Sequence, residues 1–204
     1  MKSRSVLAPV LPMLLMLPAC SFATTLYFDE FGTSSPLSVD GLHVFGVTFN
    51  FSPGTADYNG QIGTPGFAVL VSDPLLTGPT TGTLTLAFDA PTPLLQFDLV
   101  LQSLDTFDSA YTVTLSSGAV LSGSTAPQPL GLYSEGTFLY TGDPITGAAI
   151  TFFNGTDSLG GDVAAFGLDN LTYETSQTPE PATAFTLAGA LLALAVTGRR
   201  KILA

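Results

Sequence analysis

Three stretches of the chain alternate apolar and polar residues with the two-residue period of a half-buried strand. They are Leu84, Leu86 and Phe88; Leu95, Phe97, Leu99 and Leu101; and Tyr111, Val113 and Leu115. Thr, Asp or Ser occupy most positions between them, as on a sheet with one wet face. Shorter apolar runs predict further strands at Leu26–Phe28, His43–Phe51, Phe67–Val71, Gly118–Leu121, Thr137–Tyr140, Ala148–Phe153 and Ala164–Tyr173. Clusters of Gly, Pro, Asp, Asn and Ser separate these runs, and no helical period persists between residues 24 and 176. About nine or ten short strands in such a span predict an all-β domain, an antiparallel β-sandwich of jelly-roll type. Phenylalanine, in a chain without tryptophan, would supply much of its core.

The pattern changes at both ends. Met1-Lys2-Ser3-Arg4 is a short basic start, and an apolar run from Val6 to Leu17 follows it. Ser21-Phe22-Ala23 then places small residues at −3 and −1 of a cut after Ala23, so residues 1–23 read as a secretory signal peptide. A second reading takes Leu17-Pro18-Ala19-Cys20 as a bacterial lipobox, with Cys20 carrying lipid. At the other end, Pro179-Glu180-Pro181 is extended and exposed, because each proline fixes its own φ and turns its predecessor away from helix. Residues 182–198 carry no charge and are apolar all round; as a helix they reach about 25 Å, the short end for a bilayer core. Arg199, Arg200 and Lys201 would hold the C-terminus on the cytoplasmic side. The organisation expected is therefore a signal peptide over 1–23, a β-sandwich over 24–176, and a tail over 177–204.

Pro179-Glu180-Pro181, an apolar helix and a terminal basic cluster together resemble the PEP-CTERM sorting signal of exopolysaccharide-producing Gram-negative bacteria. That resemblance implies recognition of Pro179, Glu180 and Pro181 by a membrane peptidase of the exosortase type. Arg199, Arg200 and Lys201 would serve as the basic stop. The tail would anchor the chain in the membrane only until processing delivers it to the cell surface or extracellular matrix. The final Lys201-Ile202-Leu203-Ala204 is longer and more apolar than the pattern's usual end. The middle of the chain also looks like the sandwiches that precede such tails, through Phe28-Asp29-Glu30-Phe31 and Phe166-Gly167-Leu168-Asp169-Asn170-Leu171-Thr172-Tyr173.

Charge supports the export reading. Only 10% of residues are charged, and all five Lys and Arg lie at the ends. Residues 24–178 contain none, yet hold all of the sixteen acidic groups except Glu180. Such a domain forms no Lys or Arg salt bridge, repels nucleic acid and anionic headgroups, and meets no basic residue that would resist translocation. Divalent cations are its natural counter-charge. First and last strands of a jelly roll often pair, which would bring Asp29, Glu30 and Asp169 together as an oxygen cage for Ca²⁺. The plainer alternative makes these acids solvated turn and edge residues. No cofactor is required by any motif.

Catalytic patterns are scarce. His43 is the lone histidine, no Gly-x-Ser-x-Gly elbow accompanies it, and zinc sites built on histidine lack ligands. Asp105 and Asp108 are close in sequence but read as a loop, without the Lys, Arg or Trp of a sugar-cleaving cleft. The chain is therefore expected to be a structural or adhesive surface protein rather than an enzyme, associated with exopolysaccharide or biofilm. A carbohydrate-binding module is the alternative, with Tyr58, Tyr111, Tyr133 and Tyr140 as stacking platforms.

Overall fold

A computed structural model of the chain describes residues 21–31, 35–61, 69–102, 109–127, 133–152 and 165–176. Residues 1–20, the greater part of the expected signal peptide and including Cys20, lie outside them. So do Asp105, Asp108, the motif Pro179, Glu180 and Pro181, the apolar segment 182–198, and Arg199, Arg200 and Lys201. Among the described residues all regular structure is strand: β1 (Ser21–Leu26), β2 (Leu37–Ser38), β3 (Leu42–Val44), β4 (Val47–Ser52), β5 (Asp57–Gly60), β6 (Leu75–Pro79), β7 (Thr83–Gln102), β8 (Ser109–Leu115), β9 (Val120–Pro127), β10 (Tyr133–Phe152) and β11 (Ala165–Ser176). Every pairing is antiparallel.

The all-β, antiparallel expectation holds, but the strands are not all short. Leu84–Phe88 and Leu95–Leu101 belong to one strand, β7, and Thr137–Tyr140 and Ala148–Phe152 belong to one strand, β10. The two run side by side, with register shifts between Thr141 and Ile145 and between Ile145 and Gly147. Pro91 and Pro93 sit opposite this irregular stretch. Proline donates nothing to a ladder, so pairing lapses there and the strands can bend without leaving more donors unpaired. Thr92, buried between the prolines, secures the bend: its hydroxyl donates to Leu94 O at 2.7 Å and accepts from Glu174 N at 2.9 Å.

The bend divides one continuous sheet into two layers. In the first, β3 pairs β4, β4 pairs residues 83–88 of β7, these pair residues 147–151 of β10, and β10 pairs β8, which pairs β9. In the second, residues 95–102 of β7 lie between residues 133–141 of β10 and β11; β11 pairs β1 and β6, and β6 leads to β5 and β2. The core fills the space between the layers. Phe166 of β11 stacks on Phe152 of β10 at 4.3 Å and meets Phe51 of β4 at 5.7 Å, while Phe88 meets Tyr173 at 5.4 Å. These contacts join segments of different layers, and such pairs add about 0.5–1.5 kcal/mol each beyond area burial.

Three local expectations need correction. His43–Phe51 is not one strand but the hairpin β3–β4, turning at Phe45 and Gly46 with φ of 48° and 88°. Two successive positive φ values are what a two-residue hairpin turn matched to strand twist requires. Of Phe67–Val71, the described residues 69–71 form no strand, because the Val69 and Leu70 amides turn to the Glu135 carboxylate instead of a neighbouring strand. Leu26–Phe28 ends as a strand at Leu26, since Phe28 takes φ 59° and drops its ring into the core. The first and last strands do pair, from Ser21↔Ser176 to Leu26↔Leu171. Both ends of the domain thus leave it at the same point, and Ala23 lies within β1 opposite Glu174.

Candidate functional site

Alternation along the strands gives each layer an outer face. On the first layer, buried Leu84, Leu86 and Phe88 alternate with outward Thr83, Thr85 and Ala87, and buried Val47, Phe49 and Phe51 with Thr48, Asn50 and Ser52. Strand register aligns the outward residues into rows. One row runs Ser52, Thr83, Thr151, Thr112, Ser122; the next runs Asn50, Thr85, Ala149, Thr114, Val120; a shorter third runs His43, Thr48, Ala87, Gly147. Five strands at a spacing of ~4.8 Å make the long rows about 19 Å across. Only His43 among these residues is ionisable. Its ring nitrogen Nε2 lies 3.0 Å from Asp89 Oδ2, and both side chains are more than half exposed. This is a solvated pair, and among the described residues no serine or threonine hydroxyl joins it to make a nucleophile. Two residues beyond His43, Phe45 is 63% exposed in its hairpin turn, and its carbonyl accepts the buried Tyr173 hydroxyl at 2.5 Å.

The outer face of the second layer is built differently. Glu135 is 3% exposed and accepts hydrogen bonds from Val69 N at 3.0 Å and Leu70 N at 3.2 Å. Asp169, 2% exposed, accepts from Ser72 N at 3.0 Å and Asn170 N at 2.7 Å. The Asn170 amide donates to Leu70 O at 3.0 Å and to Asp98 Oδ2 at 2.8 Å, and Thr137 donates to Asp98 Oδ1 at 2.5 Å. Together these bonds fasten residues 69–72 over Val100 of β7, where Val71 and Leu75 form a small second core flanked by Tyr133. A bulge in β11 between Asp169 and Thr172, with Asn170 at φ 53°, aims these side chains outward. Burial pushes the Asp169 carboxyl above its usual range; the amide hydrogen bonds pull it down, and neighbouring Asp98 pushes it up again.

Asp29, Glu30 and Asp169 are not brought together. Phe28 turns the chain out of the β1–β11 ladder before Asp29, and the bulge commits Asp169 to Ser72 and Asn170. Glu30 instead accepts from Tyr27 N at 3.1 Å and from the Tyr58 hydroxyl at 2.6 Å. Among the described residues no three His, Cys, Asp or Glu side chains are grouped as a metal would need.

Two of the four tyrosine platforms are also corrected. Tyr58 and Tyr111 are core residues, 0% and 1% exposed, so neither can stack on a ligand. Burial raises both hydroxyls, that of Tyr111 to about 12. Tyr133 packs partly buried on Val71, Leu75 and Val100, and the Tyr140 hydroxyl donates to Asp143 O at 2.7 Å. Among the described residues the aromatic rings that do stand open are Phe22, Tyr27, Phe31 and Phe45. For Phe45 the available signal was the following glycine, which permits the second positive φ of a hairpin turn.

No known protein family matches the chain, and no curated protein sequence matches it. Several solved structures are similar. A cleaved adhesin domain of Lys-gingipain from Porphyromonas gingivalis aligns with 76% of this chain and 99% of its own, at 15% identity and a TM-score of 0.45. A family 29 carbohydrate binding module from Piromyces equi aligns with 76% of this chain and 91% of its own, at 11% identity and a TM-score of 0.40. Another structure of a family 29 carbohydrate binding module aligns with 80% of this chain and 97% of its own, at 13% identity and a TM-score of 0.33. Likeness at this level assigns this chain neither ligand nor activity.

Proposed function

We propose that the chain is an exported protein of the cell surface or extracellular matrix, sorted through its C-terminal tail and serving a structural or adhesive role linked to exopolysaccharide. The observation that carries this reading is the order Pro179-Glu180-Pro181, uncharged residues 182–198, then Arg199, Arg200 and Lys201. The signal peptide ends at Ala23, or just before the lipobox cysteine Cys20, and the apolar segment spans the membrane as a helix until an exosortase-type peptidase removes it. The domain between is a sandwich of jelly-roll type. Two features support the route. The domain carries acids but no Lys or Arg, so no basic group resists translocation. The first and last strands of the domain pair side by side, so the segments before and after it join it at one edge of the same sheet.

The test replaces Pro179, Glu180 and Pro181 by alanine in the full chain. The expected outcome is loss of C-terminal processing and retention of the protein in the membrane fraction. Unchanged delivery and an unchanged mature mass would remove the sorting reading. A second reading, a carbohydrate-binding module, is favoured by the uncharged hydroxyl rows of the first layer and by exposed Phe45.

A further inference from the structure

We propose that the outer face of the first layer, ending at Phe45, is the ligand surface, and that it takes a neutral polysaccharide chain. This deepens the carbohydrate-binding reading and rests on it. Among the described residues nothing covers this sheet face, which is five strands wide, and its occupant follows from what the face offers and what the rest of the domain refuses.

The face offers hydroxyls. Ser52, Thr83, Thr151, Thr112 and Ser122 form one row, and Thr85 and Thr114 lie in the next, with Asn50. Each hydroxyl donates once and accepts twice, so one that already has a partner keeps bonding capacity. Thr83 and Thr151 bond each other at 3.1 Å, and the Asn50 side-chain oxygen accepts from Gly41 N at 3.0 Å. Threonine methyls, Ala87 and Ala149 supply apolar contact between the hydroxyls, and exposed Val120 and Phe45 add larger apolar groups. This mixture of two-way hydrogen bonding and small apolar contacts is the complement of a sugar ring, which presents hydroxyls at its rim and C–H groups on its faces.

The domain refuses other occupants. With many acids and no Lys or Arg between residues 24 and 178, it repels nucleic acids, acidic polysaccharides and anionic lipid surfaces. A mainly apolar partner would leave a row of hydroxyls desolvated without partners, which is costly. A neutral, hydroxyl-rich polymer meets neither obstacle. Rows about 19 Å across accommodate several sugar units, and a flexible chain can follow the sheet's twist.

Phe45 makes the surface testable apart from the fold. It holds φ 48°, a backbone region that glycine enters freely and a bulky residue enters at a cost, yet its ring stands in solvent. A purely structural turn would favour glycine at this position. Phe45→Gly therefore removes the ring while preserving the turn.

The experiment is affinity electrophoresis of the full chain in detergent, in gels carrying hydroxyethylcellulose, mannan or polygalacturonate. The expected result is retardation by a neutral polymer and none by polygalacturonate. Phe45→Gly should weaken that retardation about tenfold at an unchanged melting temperature. Thr85→Glu with Thr114→Glu, which charges the middle row at two exposed positions, should abolish it. Retardation that survives both variants overturns this surface while leaving carbohydrate binding standing. Retardation by polygalacturonate alone overturns the neutral ligand. Absence of retardation by every polymer overturns the surface and the carbohydrate-binding reading together, and leaves the sorting reading to its own test.

Discussion

The two outer faces of the domain start from the same alternation and end in opposite states. On the first layer the outward positions are mostly Thr, Ser, Asn and Ala, with His43 the one ionisable residue, and the rows face solvent. On the second they include Asp98, Glu135 and Asp169, and residues 69–72 lie across them. The difference follows from the missing bases. A buried carboxylate needs compensating donors, and with no Lys or Arg in the domain the donors here are backbone amides, the Asn170 side chain and hydroxyls. Carboxylates of the second face are thus consumed in holding the protein's own chain. They fasten the structure and are not spare ligands, and the face left open to solvent is the one that carries least charge.

The contrast breaks most directly at Glu135. Glu135→Ala takes the acceptor from the Val69 and Leu70 amides and uncovers Val100, so it should cost about 1.5–3 kcal/mol by the usual worth of hydrogen bonds to a charged group. Thr85→Ala on the open face should stay within about 0.5 kcal/mol. Urea unfolding of the two variants checks both numbers. Equal effects would mean that the second face is no better fastened than the first.

A smaller effect is expected with pH. Burial raises the Asp169 carboxyl, with Asp98 adding to it, so the folded protein holds that proton more tightly than the unfolded chain does. The stability this adds is complete below the ordinary carboxylate value and is lost as pH rises through the raised folded value. The melting temperature should therefore climb as pH falls from 7 toward the carboxylate range. There is no Lys or Arg salt bridge in the domain for acid to break. Asp169→Asn should flatten the climb; a slope unchanged in that variant would assign the effect to other acids.

Much of the core was legible before the structure. Leu84, Leu86, Phe88, Leu95, Phe97, Leu99, Leu101, Val113 and Leu115 are all buried as their period predicts. The joining of half-strands was not, because Pro91 and Pro93 read as punctuation when they occupy the bend of a continuous strand. β5 and β6 were hidden by composition: Asp57-Tyr58-Asn59-Gly60 and Leu75-Leu76-Thr77-Gly78-Pro79 carry turn residues, and only pairing with each other and with β11 makes them strands. The hydroxyl rows were visible only one strand at a time. Thr83 and Thr85 alternate plainly, but their alignment with Ser52, Asn50, Thr112 and Thr114 is a matter of register between strands distant in sequence.

The smallest effect is expected from calcium, and it bears on the comparison most closely. If the acids of the second face are consumed internally, added Ca²⁺ gains little by displacing Ser72 and Asn170 from Asp169, or Tyr27 and Tyr58 from Glu30. Asp29 is exposed and lies beyond the strand that could have carried it to Asp169. A site of hard oxygens needs six to eight of them around one ion, and these three carboxylates are not grouped. Melting temperatures in EDTA and in millimolar Ca²⁺ should then coincide. A rise with Ca²⁺ that Asp169→Asn abolishes would show that the internal bonds yield to a cation, and the two faces would no longer divide into one that fastens and one that is open.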